Sequence, residues 1–127
     1  MKKILIIEDE PDLCKIYRLR LESKYEIIVA QDGMEGLEKA RHEKPDLILL
    51  DLMLPKLGGM QVCRLLKFDE KYRNIPILIV TARGQIADKE MMTKMGANDY
   101  IIKPFKPEEL IGKIKELIKI GIPTCSE

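Results

Sequence analysis

Leu47-Ile48-Leu49-Leu50-Asp51-Leu52-Met53-Leu54-Pro55 is the stretch whose reading decides the fold. Four apolar residues follow the breaker pair Pro45-Asp46 and end on a carboxylate. So short a run, with no polar residue alternating in it, reads as a strand buried on both faces, as strands of parallel sheets are. Asp51 then stands at the strand's carboxyl end, the edge at which open α/β sheets bind ligands. Taken alone, Asp51 reads first as a turn or helix-capping residue. Its neighbours in space have to decide its role.

The flanking sequence supplies those neighbours. Ile4-Leu5-Ile6-Ile7 is a second apolar strand, and it too ends on acids, Glu8-Asp9-Glu10. Pro11 opens a helix to about Ser23, with Leu13, Ile16, Tyr17 and Leu21 at helical spacing. Tyr25 to Ala30 is a strand. The Asp32-Gly33 turn leads into a helix carrying Met34, Leu37 and Ala40 and ending near residues 42 to 44. After the Leu54 to Gly59 loop, a helix from Met60 carries Val62, Leu65 and Leu66 to about Asp69. Ile77 to Val80 is a fourth apolar strand, closed by Thr81. A helix from about Ile86 to Met95 is stopped by Gly96, as C-terminal glycines stop helices. Asp99 to Ile102 is a fifth strand, broken by Lys103-Pro104-Phe105, and Pro107 starts a last helix with Leu110, Ile111, Ile114, Leu117 and Ile118 on one face.

Five strands alternating with five helices call for an α/β three-layer sandwich: a parallel sheet with helices on both faces. Residues 1–120 are expected to form one domain and 121–127 a flexible tail. The 127 residues suit a single core. With 22 Lys and Arg against 21 Asp and Glu, the charge balance gives no sign of direct nucleic-acid or membrane binding by this domain. Cys14, Cys63 and Cys125 have no metal-ligand spacing and read as free thiols of a reducing compartment. No apolar run approaches the roughly 20 residues of a spanning helix, and a cytoplasmic location is expected. His42, within Arg41-His42-Glu43-Lys44, reads as a solvated helix-end residue.

In a parallel sheet all carboxyl ends share one edge, so Glu8, Asp9, Asp51, Thr81 and Lys103 should converge there. Two carboxylates about 4 Å apart repel by roughly 4 kcal/mol at an effective dielectric of 20. Three therefore need cations to stay ionised together. Lys103 offers one charge, and a hard divalent ion, Mg²⁺ or Mn²⁺, would supply the rest. A carboxylate so placed is a plausible nucleophile toward phosphorus. Asp51 is the candidate, with Thr81 able to hydrogen-bond a phosphoryl oxygen.

These residues resemble the receiver domains of two-component response regulators, the CheY-like domains. The likeness rests on Glu8-Asp9, on Asp51 with Pro55 and Gly59 behind it, on Thr81-Ala82, on Gly96-Ala97-Asn98-Asp99-Tyr100 and on Lys103-Pro104-Phe105, and it spans almost the whole chain. It implies a flavodoxin-like (βα)5 fold with strand order 2-1-3-4-5. Asp51 would accept a phosphoryl group from the phosphohistidine of a sensor histidine kinase. Mg²⁺ would be bound by Asp9, Asp51 and the backbone carbonyl of Met53, with Glu8 acting through water. Thr81 and Lys103 would hold the phosphoryl oxygens, and the Lys103-Pro104 bond would be cis. Thr81 and Tyr100 would be the switch pair, altering a face from residue 86 to residue 118 that controls a partner or dimerisation. The positions two past Asp51 and two past Thr81, Met53 and Arg83, would tune the lifetime of the phosphate, a bulky Met53 obstructing water.

Such a domain is a signalling switch, not an enzyme with a metabolic substrate. It would be either a stand-alone receiver or part of a longer, possibly transcriptional, regulator. An aspartyl-nucleophile phosphatase or phosphotransferase of related topology is the alternative, weakened because its usual second acid two residues on is here Met53. A flavin or nucleotide module fails for want of GxxxxGK[ST] or GxGxxG.

Overall fold

A computed structural model of the protein describes residues 1–54, 56–82 and 94–121, with side chains as far as Lys119. The strands are β1 (Lys2–Ile7), β2 (Tyr25–Ala30), β3 (Leu47–Asp51), β4 (Ile77–Ala82) and β5 (Asp99–Lys103). The described helices are α1 (Pro11–Leu21), α2 (Gly33–Glu43), α3 (Gly59–Lys67) and α4 (Pro107–Gly121). All neighbouring strands are parallel, in the order β2-β1-β3-β4-β5, as the resemblance implies.

The period of two along each strand divides the core. Ile4, Ile6, Leu47, Leu49, Leu78 and Val80 face one side, where Tyr17 and Leu21 of α1 and Leu110, Ile114 and Leu117 of α4 cover them. Leu5, Ile7, Ile48, Leu50, Ile77 and Ile79 face the other, under Leu37 and Ala40 of α2 and Val62, Cys63 and Leu66 of α3. Covered on both faces, the three central strands have no side that favours a polar residue, which explains their unbroken apolar runs. Each fully buried Leu or Ile contributes roughly 1.5–3 kcal/mol.

Local chemistry sets the ends of the helices. Pro11 occupies the first turn of α1, where a missing N–H costs nothing. Asp32 caps α2 by accepting from the Glu35 N–H at 2.8 Å. Gly36 brings α2 so close to β1 that an added Cβ would lie 2.6 Å from the Ile7 side chain. The spacing predicts α1 to Ser23, but it ends at Leu21, where the Glu22 N–H still donates to Arg18 O and the Lys24 N–H turns back to Leu21 O. Likewise α3 stops at Lys67, two residues short of expectation, since the Asp69 N–H reaches back only three residues, to Leu66 O. β4 and β5 each run a little longer than expected, because Ala82 pairs with Lys103.

Most of the helix expected over 86–95 lies outside the described residues. Its last two, Lys94 and Met95, are helical, and Gly96 follows with φ +85, the left-handed conformation that stops helices. The tail beyond Gly121 also lies outside them. Lys67 donates to Ile75 O at 2.8 Å, Arg73 O at 3.1 Å and Asn98 Oδ1 at 2.7 Å, while Asn98 Oδ1 also accepts the Ile77 N–H at 2.9 Å. α3 is thereby tied to the amino ends of β4 and β5. No described helix is long and apolar enough to cross a membrane.

Candidate functional site

The chain passes from β1 to β2 on one side and reaches β3 on the other, so the switch in strand direction leaves a crevice at the carboxyl ends of β1 and β3. Glu8 enters it directly after β1, its N–H donating to Ala30 O at 2.9 Å. Asp51 is the last residue of β3, in register with Val80, one residue before Thr81. Lys103 ends β5 opposite Ala82. Four strands far apart in sequence thus deliver Glu8, Asp51, Thr81 and Lys103 to one edge.

Carboxylate oxygens of Glu8, Asp9 and Asp51 all lie within 4.8 Å of one another. Glu8 is 1% exposed and Asp51 7%, while Asp9 is exposed. Lys103 Nζ lies 3.6 Å from Glu8 Oε1, near enough for charge pairing. The Glu10 N–H donates to Glu8 Oε2 at 3.2 Å, and the Met53 N–H to Asp51 Oδ1 at 3.3 Å. Glu8 Oε1 itself has no hydrogen-bond partner.

This arrangement opposes ionisation. Burial, and next the Asp51 charge, push Glu8 up to about 7. Burial likewise raises Asp51, with Lys103 only partly countering it. A cation among the three acids would reverse both effects, and a crowded all-oxygen donor set of three carboxylates fits a hard divalent ion such as Mg²⁺.

Thr81 is 1% exposed, and its hydroxyl donates to Ala82 O at 3.2 Å. Tyr100 is half-buried beside the α2–α3 side of the core. The Met53 side chain is 65% exposed just past Asp51. Arg83 and Pro55 lie outside the described residues. The Lys103-Pro104 peptide bond is cis.

Gly59, read from the sequence as a loop residue and as part of the resemblance, has a definite task. A Cβ there would run into the Asp51 carbonyl oxygen and stand 2.7 Å from Leu52 Cα. The Gly59 N–H also donates to Leu52 O at 3.2 Å, so α3 begins directly beneath the Asp51 backbone. The side chain that sequence reasoning missed is Tyr17, placed on the buried stripe of α1 without regard to its polar end. Its ring stacks on Phe105, with centroids 6.4 Å apart and planes 3° from parallel, and its buried hydroxyl has no hydrogen-bond partner. The one available signal was a tyrosine among aliphatic core positions.

A family model described as the response regulator receiver domain matches residues 4–115. The alkaline phosphatase synthesis transcriptional regulatory protein PhoP of Bacillus subtilis is 44% identical over 119 residues, 93% of this chain and 49% of that protein. The DNA-binding dual master transcriptional regulator RpaA of Synechocystis is 43% identical over 120 residues, 94% of this chain and 50% of its own length. The chain therefore spans about half the length of these relatives. Among solved structures, the receiver domain of sensor histidine kinase PA1611 from Pseudomonas aeruginosa, with magnesium coordinated in its active site cleft, superposes with a TM-score of 0.84 at 33% identity, over 93% of this chain and 98% of that one. The chemotaxis response regulator CheY4 of Vibrio cholerae gives a TM-score of 0.84 at 28% identity, over 92% and 98%.

Proposed function

The chain belongs to the response regulator receiver domain family, and from that membership we propose that Asp51 is the phosphoacceptor of a two-component signalling switch. The observation that carries this reading is the convergence of Glu8, Asp9 and Asp51 within 4.8 Å beside Lys103. An Asp51 oxygen attacks the phosphorus of a sensor kinase's phosphohistidine, the aspartyl O–P bond forms as the P–N bond breaks, and the imidazole leaves neutral, keeping the proton its other ring nitrogen already held. Lys103 and the Thr81 hydroxyl hold the phosphoryl oxygens, neutralising charge that builds there in an in-line transfer.

Asp9, Asp51 and the Met53 carbonyl would hold Mg²⁺, or Mn²⁺ in its place, with Glu8 acting through water. The ion would supply positive charge to the phosphoryl oxygens. The phosphoryl group adds nearly two negative charges at one point, drawing Thr81 toward it and Tyr100 inward behind. The altered surface is the face from residue 86 to residue 118, of which 86–93 lie outside the described residues. It includes β5 and α4, joined by the Asp99–Lys113 ion pair at 3.0 Å. Through it the domain would control a downstream protein or its own dimerisation, in the cytoplasm and without contacting nucleic acid itself. Since PhoP and RpaA are named as transcriptional regulators, a longer transcriptional regulator is the natural setting for this domain. Residues 1–120 would form the receiver unit, and its chemistry would be its own phosphorylation and dephosphorylation, with no metabolic substrate.

Incubating the protein with a small phosphodonor and Mg²⁺ and weighing it intact tests the proposal. Wild type should gain the mass of one phosphoryl group, and Asp51→Asn should not. No gain on wild type, or an equal gain on the variant, overturns it.

A further inference from the structure

Among the described residues, two buried side-chain oxygens lack a hydrogen-bond partner, Glu8 Oε1 and the Tyr17 hydroxyl. Glu8 lies just before α1, and Tyr17 lies on it. α1 begins at Pro11, three residues past Glu8, and helical side chains tilt toward their helix's N-terminus. The Tyr17 ring therefore leads from the core toward the sheet edge that holds Glu8. It lies parallel to Phe105, two residues beyond Lys103, whose Nζ is 3.6 Å from the same Glu8 Oε1. At 1% exposure the hydroxyl has no access to bulk water, and a phenylalanine would fill the site without burying a polar atom unpaired.

From this placement we propose that Tyr17 is a positioning residue for the cation site, its hydroxyl holding the Glu8 carboxylate through one enclosed water while its ring supports the turn that carries Lys103. A buried water needs at least two polar partners, and Tyr17, Glu8 Oε1 and the Lys103 ammonium supply them. Burial first, and then the charges of Glu8 and Asp51, hold the Tyr17 phenol far above its ordinary range. It thus remains a neutral donor. Fixing Glu8 from behind keeps its other oxygen directed at the ion's water shell.

This inference rests on the Mg²⁺ reading of the acidic cluster, and a double-mutant cycle separates the two. Mg²⁺ binding is measured by calorimetry on wild type, Tyr17→Phe, Glu8→Gln and the double variant, with thermal unfolding of each. Tyr17→Phe keeps the ring against Phe105 and removes only the hydroxyl. It should weaken Mg²⁺ binding on the order of tenfold without lowering the melting temperature, and it should cost nothing further in the Glu8→Gln background. Unchanged affinity in Tyr17→Phe, or an equal loss in both backgrounds, overturns the role of Tyr17 while leaving the Mg²⁺ site standing. No Mg²⁺ binding by wild type overturns the metal reading and this inference with it.

Discussion

Lys103 Nζ sits 3.6 Å from Glu8 Oε1 across the carboxyl edge of the sheet, joining the end of β5 to the end of β1. That ammonium partly offsets the crowding of three acids and would also compete with a bound cation. Lys103→Met should slow phosphorylation by a small donor on the order of a hundredfold while tightening Mg²⁺ binding several-fold. The rate by intact mass and the affinity by calorimetry test both halves, and a loss of both together would contradict the assignment.

The acidic cluster makes stability depend on pH. Folding raises Glu8 from 4.5 to about 7 and raises Asp51 in the same direction, so the folded state binds more protons than the unfolded one across that interval. Without Mg²⁺, the contribution of these groups is fully present at low pH, for Glu8 below about 4.5, and should be lost as pH rises through about 7, on the order of 3 kcal/mol for Glu8. Glu8→Gln should flatten the slope, as should saturating Mg²⁺. Urea unfolding at several pH values reads it, and stability that climbs over that range would contradict the raised values.

Gly59 has no room for a side chain. Gly59→Ala places a Cβ against the Asp51 carbonyl and 2.7 Å from Leu52 Cα, both backbone atoms. About 1–3 kcal/mol of destabilisation is expected, together with slower phosphorylation in protein that remains folded. A variant as stable and as reactive as wild type would mean that the backbone under Asp51 moves freely.

Met53 stands exposed just past Asp51, and on the proposed reading its thioether would obstruct a water approaching the phosphoryl group. Met53→Asn should shorten the life of the phosphorylated protein on the order of tenfold, equivalent to about 1.4 kcal/mol in barrier. The decay of the phosphorylated mass measures it. A wild-type lifetime of seconds that the variant leaves unchanged would remove Met53 from this role.

Cys63 is buried, its thiol donates to Met95 O at 3.3 Å, and burial pushes it up to about 11. It should resist alkylation near neutral pH and react only on unfolding. Peptide mapping after brief labelling distinguishes it from Cys14 and Cys125.

The fold was legible because the strands announce themselves. Ile4 to Ile7, Leu47 to Leu50 and Ile77 to Val80 are apolar without interruption, and each is followed by a polar group at the place where a parallel sheet collects them. The convergence of Glu8, Asp51, Thr81 and Lys103 follows from that topology alone. Side-chain tips were not legible. Tyr17 satisfies an apolar periodicity through its ring, and nothing in the periodicity says where its hydroxyl ends. The three oxygens that receive Lys67 were equally hidden, since helical periodicity does not say where a lysine's ammonium ends. The boundary errors in α1 and α3 arose where tight turns prolong helical hydrogen bonding without prolonging the helix.

The register of the parallel strands has a consequence for the chain as it is made. Asp51 emerges from a ribosome well before Lys103, and β5 must be present and docked before that lysine can stand beside Glu8. On the proposed reading, a nascent or half-folded copy would carry the acceptor without the cation that assists it, and it should react with donors far more slowly than the finished domain.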